Sequence, residues 1–372
     1  MNMILAVGRR YTAEIAAAVR ADLFIYLVAL GYLITGAVYV LGRSRPLFGR
    51  YEEYSSGCLV LCGVVLPYCI VMLGVIRIAL FAKGRRALAY RHMFAPRRVG
   101  RFVAGTLLIL VTLMLFEAMF TSIKTAFSSN GFAYDRLAAD IDSVLHFGRA
   151  PSTWLGFLRS AWLLHLLELN YEVLWFALWI GTLYWVAISP RAEALRLRFM
   201  LTFMINWIVA GNIIASVFST AGPALYGRAT GDTARFAGLQ TFLDSTTNMT
   251  ADTQHYLWSL HALGQAGLGA GISAFPSMHV AITTMCALFL GERSPRLGLL
   301  GAGYTLVILV SSVYLGWHYA IDGYASVLLT VGIYWAVRWG AVALPRLRNW
   351  RPATPRPAFA PPATIGAEAE AA

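Results

Sequence analysis

Two histidine-containing segments carry residue types suited to phosphoryl transfer. One reads Ser-Ala-Phe-Pro-Ser-Met-His over residues 273–279, and the other reads Tyr-Leu-Gly-Trp-His-Tyr-Ala-Ile-Asp over residues 314–322. His318 and Asp322 are four residues apart, so on a helix they share a face, and the carboxylate can hold one imidazole nitrogen while the other attacks as a nucleophile. A second imidazole, His279, can deliver a proton to the departing oxygen.

The Pro-Ser pair before His279 predicts an anion site. Pro276 suits the first turn of a helix, so Ser277, Met278 and His279 would lie where free N–H groups and the positive end of the helix dipole attract an anion. A single histidine at a helix end is more often structural, and His-Asp pairs at this spacing also arise by chance. Two such segments facing the same side of a membrane favour the catalytic interpretation.

We expect no metal or other cofactor. The imidazoles supply the nucleophile and the helix-start donors stabilise the anion. The chain has four cysteines, and their spacing matches neither a zinc site nor a paired disulfide framework.

The composition predicts a membrane protein. Hydrophobic residues make up 58% of the chain and charged residues 13%, with a mean hydropathy of +0.63, above the roughly 45–50% apolar content of soluble domains. The net charge is +12, but the basic residues fall in short clusters between apolar stretches, as in cytoplasmic loops. We therefore expect membrane lipids, including a lipid-phosphate substrate, as partners rather than nucleic acid, and the sequence leaves the oligomeric state open.

Apolar segments of about 20 residues can cross the roughly 30 Å hydrocarbon layer as helices. The sequence contains eight candidates, at residues 21–42, 56–82, 102–124, 171–189, 199–220, 277–291, 297–316 and 322–343. The sixth is so short that its outer end must lie in a protein-lined recess. The predicted fold class is therefore an all-α, polytopic transmembrane bundle of about eight spans.

The basic residues predict the orientation. Of the 30 Lys and Arg residues, 20 lie on the inner side and nine on the outer side if the N-terminus is inside, and Arg77 lies within a span. This distribution agrees with the positive-inside rule. Both termini are then cytoplasmic and both histidine segments face outward, which we expect to be the periplasmic side of a bacterial inner (cell) membrane. Two long outer segments, 125–170 and 221–276, would roof the pocket, and residues 134–146 have the spacing of an amphipathic surface helix.

The histidine segments resemble two motifs of the type 2 phosphatidic acid phosphatase (PAP2) superfamily. Its second motif reads Pro-Ser-Gly-His and its third ends in His, three residues and Asp; the counterparts here are Pro-Ser-Met-His279 and His318-Tyr-Ala-Ile-Asp322. The resemblance implies that His318 is the nucleophile, His279 the general acid and Asp322 the orienting partner.

The resemblance covers roughly residues 100–343 and implies a six-helix catalytic core. The expected organisation is an N-terminal region at 1–100 with two extra transmembrane helices and a basic cytoplasmic loop, a catalytic domain at 101–343 and a disordered cytoplasmic tail at 344–372.

The chain also departs from the family pattern. Ser311-Ser312 stands where the third motif usually has Ser-Arg, and no Lys-to-Arg-Pro first motif follows the fifth span. Arg228 is the best candidate for the missing cation, although an ordinary solvated loop arginine fits equally well. We predict Ser277, Arg228 and Tyr226 as substrate-binding residues.

The missing basic groups favour a phosphodiester substrate, because a monoester dianion needs more charge compensation. The leading prediction is a transferase that moves a phosphorylated head group between lipids through a phosphohistidine. In its motifs the chain looks like the inositol phosphorylceramide synthase branch of the superfamily.

Two alternatives remain open at this stage: a phosphatase acting on phosphatidate or isoprenoid phosphates, and a non-catalytic carrier of anionic lipids. Glu117 lies within the third span, where a charge is a functional suspect, although pairing with a neighbouring helix explains most such residues.

Overall fold

A computed structural model of the protein describes residues 2–45, 51–265, 267 and 269–343. Within these ranges the regular structure is helical and no strand occurs, which confirms the all-α fold class. The predicted cytoplasmic tail at 344–372 lies outside the described residues.

Thirteen helices of the described residues are numbered in chain order. They are α1 (Asn2–Ala21), α2 (Leu23–Gly42), α3 (Ser55–Phe81), α4 (Arg86–Met93), α5 (Pro96–Ser128), α6 (Asp135–Leu145), α7 (Ala161–Ile188), α8 (Pro190–Val217), α9 (Ala237–Asp244), α10 (Met249–Ala262), α11 (Met278–Arg293), α12 (Pro295–Tyr314) and α13 (Ala320–Ala343).

Seven of these helices are long and apolar enough to cross a membrane: α2, α3, α5, α7, α8, α12 and α13. The predicted span at 277–291 forms α11, whose 16 residues fall short of that length. Its side chains from Val280 to Met285 are buried, because α11 packs against α12 and α13. A short helix is tolerated there since protein, rather than lipid, surrounds it.

Helices α5 and α8 begin several residues before the predicted spans, and each has a partnered arginine in its second turn. Arg101 of α5 forms a buried ion pair of 2.6 Å with Asp22. Arg196 of α8 donates to the backbone oxygens of Val186 at 3.0 Å and Ser189 at 2.8 Å. A span predicted from a run of apolar residues ends at such a charged residue. The helix itself continues, because each arginine has hydrogen-bond or ion-pair partners within the protein.

The N-terminal helix α1 was not predicted from the hydrophobicity pattern. It packs along α5. The two backbones approach so closely that a Cβ at Gly100 would lie 2.8 Å from the carbonyl carbon of Glu14. Tyr11 also donates a 2.8 Å hydrogen bond to the backbone oxygen of Phe94. These contacts fix the N-terminal helices to the rest of the bundle.

The amphipathic helix predicted at 134–146 is present as α6. It buries Ala138, Ala139 and Asp142 against the protein. Its other face exposes apolar side chains, including Val144 and the adjoining Phe147. Apolar exposure of this kind suits a helix that lies in the membrane interface.

Candidate functional site

His318 lies in the turn between α12 and α13, held by the first turn of α13. Its Nδ1 lies 3.3 Å from Oδ2 of Asp322, and the same oxygen accepts the backbone N–H of Tyr319 at 3.0 Å. Asp322 is fully buried, whereas 8% of His318 is exposed. Because Nδ1 faces the carboxylate, Nε2 is the nitrogen left to act on a ligand.

His279 is the second residue of α11, and aromatic side chains of α7 fix its ring. The imidazole stacks on Tyr171 with the ring centroids 4.0 Å apart, and its centroid lies 3.9 Å from that of Trp175. The Trp175 indole also donates to the backbone oxygen of His279 at 3.2 Å. The stacking restricts rotation of the imidazole, which favours a defined direction of proton transfer.

Ser277 joins the starts of α11 and α13. It is the N-cap of α11, so Pro276 precedes the helix rather than forming its first turn as the sequence predicted. Its hydroxyl accepts the Val280 N–H at 3.5 Å, and its own N–H donates to the backbone oxygen of Asp322 at 3.3 Å. The link brings the two histidine segments side by side.

Both imidazoles line one cavity of about 650 Å³, which we call the imidazole cavity. Helices α3, α5, α7 and α8 form much of its wall, together with residues from the 269–276 stretch and the first two residues of α11. Most of the wall is apolar or aromatic, with Phe120, Trp179 and Trp207 among its members. A chamber of this character suits an amphiphilic ligand whose polar end lies at the imidazoles.

Lys124, near the C-terminal end of α5, lines the imidazole cavity together with both histidines. Among the described residues its ammonium group has no hydrogen-bond or ion-pair partner. Gly271 lies directly against it, with φ of +87°, and a Cβ there would come within 2.8 Å of the Lys124 backbone. Nothing in the sequence spacing ties Lys124 to either histidine segment, so the sequence indicates only that it is one of nine cations predicted to lie outside.

The structure does not bring Arg228 or Tyr226 into the imidazole cavity. Arg228 is exposed and its guanidinium lies over the Trp258 ring, 5.9 Å from the centroid. Tyr226 is buried and packs edge-on against Phe236 at 5.1 Å. Ser277 is likewise buried away from the cavity lining. The lining cation is Lys124, and the three residues predicted to bind substrate have packing or capping contacts instead.

Helix α6 holds the turn that carries His318, through two buried carboxylates. Asp135 accepts the Tyr319 hydroxyl at 2.7 Å. Asp142 accepts the backbone N–H groups of Ala320 and Ile321, each at 3.1 Å, and so caps α13. His318 is therefore followed by two parts of the chain that α6 holds by hydrogen bonds, the Tyr319 side chain and the start of α13.

Asp135 also ties this turn to the loop after α8. Its carboxylate accepts the N–H groups of Ala221 at 2.7 Å and Gly222 at 3.1 Å. Burial raises the pKa of the Asp135 carboxyl, against the opposing effect of these donors. Burial likewise raises the pKa of Asp142, against its two backbone donors and the nearby His146.

These features define an integral membrane helical bundle with two imidazoles in one apolar chamber. The sequence model of the PAP2 superfamily matches residues 137–336, which is more than half of the chain and includes both histidine segments. The chain belongs to the PAP2 superfamily, whose members are generally phosphatases or phosphotransferases. No curated protein and no solved structure matches it.

Proposed function

We propose that the chain is a lipid phosphotransferase that works through a phosphohistidine at His318. The observation that carries the proposal is the convergence of His318, His279 and Lys124 on one largely apolar cavity. The buried Asp322 carboxylate, 3.3 Å from Nδ1 of His318, favours the tautomer in which Nε2 carries the attacking lone pair.

The reaction has two balanced halves. In the first, Nε2 of His318 bonds to phosphorus, the bond from phosphorus to the leaving oxygen breaks, and His279 gives its proton to that oxygen. In the second, an acceptor alcohol loses its proton to His279 and bonds to phosphorus, while the bond to Nε2 breaks. Lys124 offsets negative charge on the oxygens that do not leave.

The cavity walls support a membrane lipid as donor. Leu61 of α3 and Ile180 of α7 contribute apolar surface to the same chamber that holds the imidazoles. A hydrocarbon chain that moves there from the bilayer therefore stays in an apolar environment. We place this site on the outer side of the membrane with both termini in the cytoplasm, because that orientation puts most basic residues inside. We expect the host membrane to be a bacterial inner membrane.

A labelled-lipid assay tests the proposal. The full chain in vesicles receives phospholipid labelled in the phosphate, with and without acceptor alcohols. A new labelled lipid that forms only with an acceptor is the expected product. His318→Ala should abolish it, whereas His92→Ala, at an exposed position on α4, should not. Absence of any labelled product across a range of pH and donors would contradict the proposal.

Lys124 supports a second candidate function, a lipid phosphate phosphatase acting on phosphatidate or an isoprenoid phosphate. The sequence favoured a diester because basic groups were missing, but a lysine in the cavity supplies charge compensation for a monoester dianion. In this case water replaces the acceptor alcohol in the second half-reaction. The same assay separates the two, because the phosphatase releases inorganic phosphate without an acceptor.

The head group transferred stays a prediction. The motif resemblance to the inositol phosphorylceramide synthase branch leaves the donor lipid and the acceptor open, and a phosphoinositol lipid and a ceramide belong in the first donor and acceptor screen. A non-catalytic lipid carrier is the remaining alternative. For a carrier, His318→Ala changes lipid binding modestly, whereas the enzyme loses turnover by orders of magnitude while retaining lipid.

A further inference from the structure

Glu117 lines the imidazole cavity, and the mechanism above does not use it. It is the first residue of the last α-helical stretch of α5, Glu117–Ser128. Its Oε1 is buried, and it has no hydrogen-bond partner among the residues that the structure describes. A charged residue within a span is commonly explained by pairing with a neighbouring helix. Among the described residues, the Glu117 carboxyl group has no such ion pair.

Glu117 and Lys124 lie on one face of α5. They are seven residues apart, close to two turns, which places them about 10 Å from each other along the helix axis. Both line the cavity, so one helix face presents a cation near the imidazoles and a carboxyl group deeper in the chamber. Lys124 is the outer of the two in the proposed orientation.

No donor group among the described residues reaches Oε1 of Glu117. The thiol of Cys58, a weak donor, lies 3.9 Å from the backbone oxygen of Leu113 instead. Leu113 and Phe120, one turn away on either side, line the same chamber, as do Cys58 and Leu61 of α3. A buried carboxyl oxygen without a partner costs free energy, and the cost is recovered when a ligand brings an N–H or O–H group to it. The carboxyl group is therefore suited to recognise a donor on the bound molecule.

We propose that Glu117 determines specificity for lipid phosphates with a hydrogen-bond donor, a hydroxyl or an amide N–H, on a carbon near the phosphorylated carbon. The inference rests on the proposed function, because that function puts the phosphate at Lys124 and the imidazoles. The part of the lipid that then reaches Glu117 is the short polar backbone between phosphate and hydrocarbon. A lipid without such a donor leaves the carboxyl oxygen unpartnered and binds less well.

A matched pair of substrates tests the inference. The probes are a 1-acylglycerol 3-phosphate with its free 2-hydroxyl and the same molecule with a 2-methoxy group, which differ only in the donor. The full chain should turn over the hydroxyl form with kcat/KM higher by on the order of tenfold or more. Glu117→Leu, which removes the polar group and keeps an apolar wall, should abolish the preference. Glu117→Gln, which retains an acceptor, should keep part of it.

Glu292→Gln is the matched control. Glu292 pairs with Arg198 at 2.7 Å and does not line the imidazole cavity, so its replacement should leave the preference intact. Equal turnover of the two probes by the unmodified chain, or an unchanged preference in Glu117→Leu, would overturn the inference.

Binding of the same two probes to His318→Ala, with and without Glu117→Leu, keeps this inference distinct from the proposed function. A Glu117-dependent binding preference supports the inference even if His318 proves unnecessary for turnover, which would overturn the function alone. Equal binding of both probes by His318→Ala would count against the role of Glu117 whatever the turnover.

Discussion

At the residue scale, the proposed chemistry depends on His318, Asp322 and Lys124. The sequence predicts the first two as site residues but not the third. His318 and Asp322 are neighbours on a turn, so their spacing alone predicts the 3.3 Å contact that the structure has. Lys124 reaches the same cavity only because α5 packs beside the histidine segments. No local pattern encodes that packing, and the sequence therefore pointed to Arg228, which lies over Trp258.

Replacing Lys124 tests which cation serves the site. We expect Lys124→Met to lower kcat/KM by on the order of ten- to a hundredfold, because a phosphate oxygen loses a charge-assisted hydrogen bond. Lys124→Arg should restore part of the loss. Arg228→Met is the matched control, and its kcat/KM should stay within about twofold of the unmodified chain. The reverse ranking of the two Met variants would restore Arg228 as the phosphate ligand.

At the element scale, α6 was predicted correctly as a helix, but its contacts with the His318 turn were not predicted. Its apolar spacing predicted a helix at 134–146, and the structure has one at Asp135–Leu145. The pattern did not reveal that Asp135 and Asp142, seven residues apart on one face, hold the His318 turn and cap α13. Acidic residues on a helix are usually solvated, so only the tertiary arrangement gives these two a role.

Asp142→Ala should damage both stability and turnover. The substitution leaves two backbone N–H groups at the start of α13 without their acceptor, at a cost of about 1–2 kcal/mol, and it loosens the turn that carries His318. We expect a lower Tm in detergent and a lower kcat with little change in KM. Asp140→Ala is the control, since Asp140 is 63% exposed and pairs with Arg235 at the surface. Similar losses of kcat in the two variants would mean that Asp142 does not position His318.

At the scale of the whole molecule, composition and apolar run length predicted a polytopic helical membrane protein, and the structure confirms that class. They predicted helix boundaries less well. Helices α5 and α8 extend past partnered arginines to Pro96 and Pro190, and α11 has only 16 residues and lies within the protein. The length of an apolar stretch indicates whether a helix can face lipid across the bilayer. It contains no information about packing between helices.

The imidazole cavity itself is a property of the whole bundle. Its wall combines α3 from the N-terminal region with helices that the family match covers. From the sequence, α3 is one of two extra spans beside the expected catalytic core. In the structure, Cys58 and Leu61 of α3 belong to the chamber, so the N-terminal region shapes the space in which we expect a lipid to bind.

Trapping the covalent intermediate tests the central claim most directly. The full chain is mixed with lipid labelled in its phosphate, quenched within one turnover under alkaline conditions that preserve phosphohistidine, and mapped by mass spectrometry. We predict label on His318 alone, its loss in His318→Ala and its retention in His92→Ala. Label on another residue, or turnover in His318→Ala at the rate of the unmodified chain, would contradict the account.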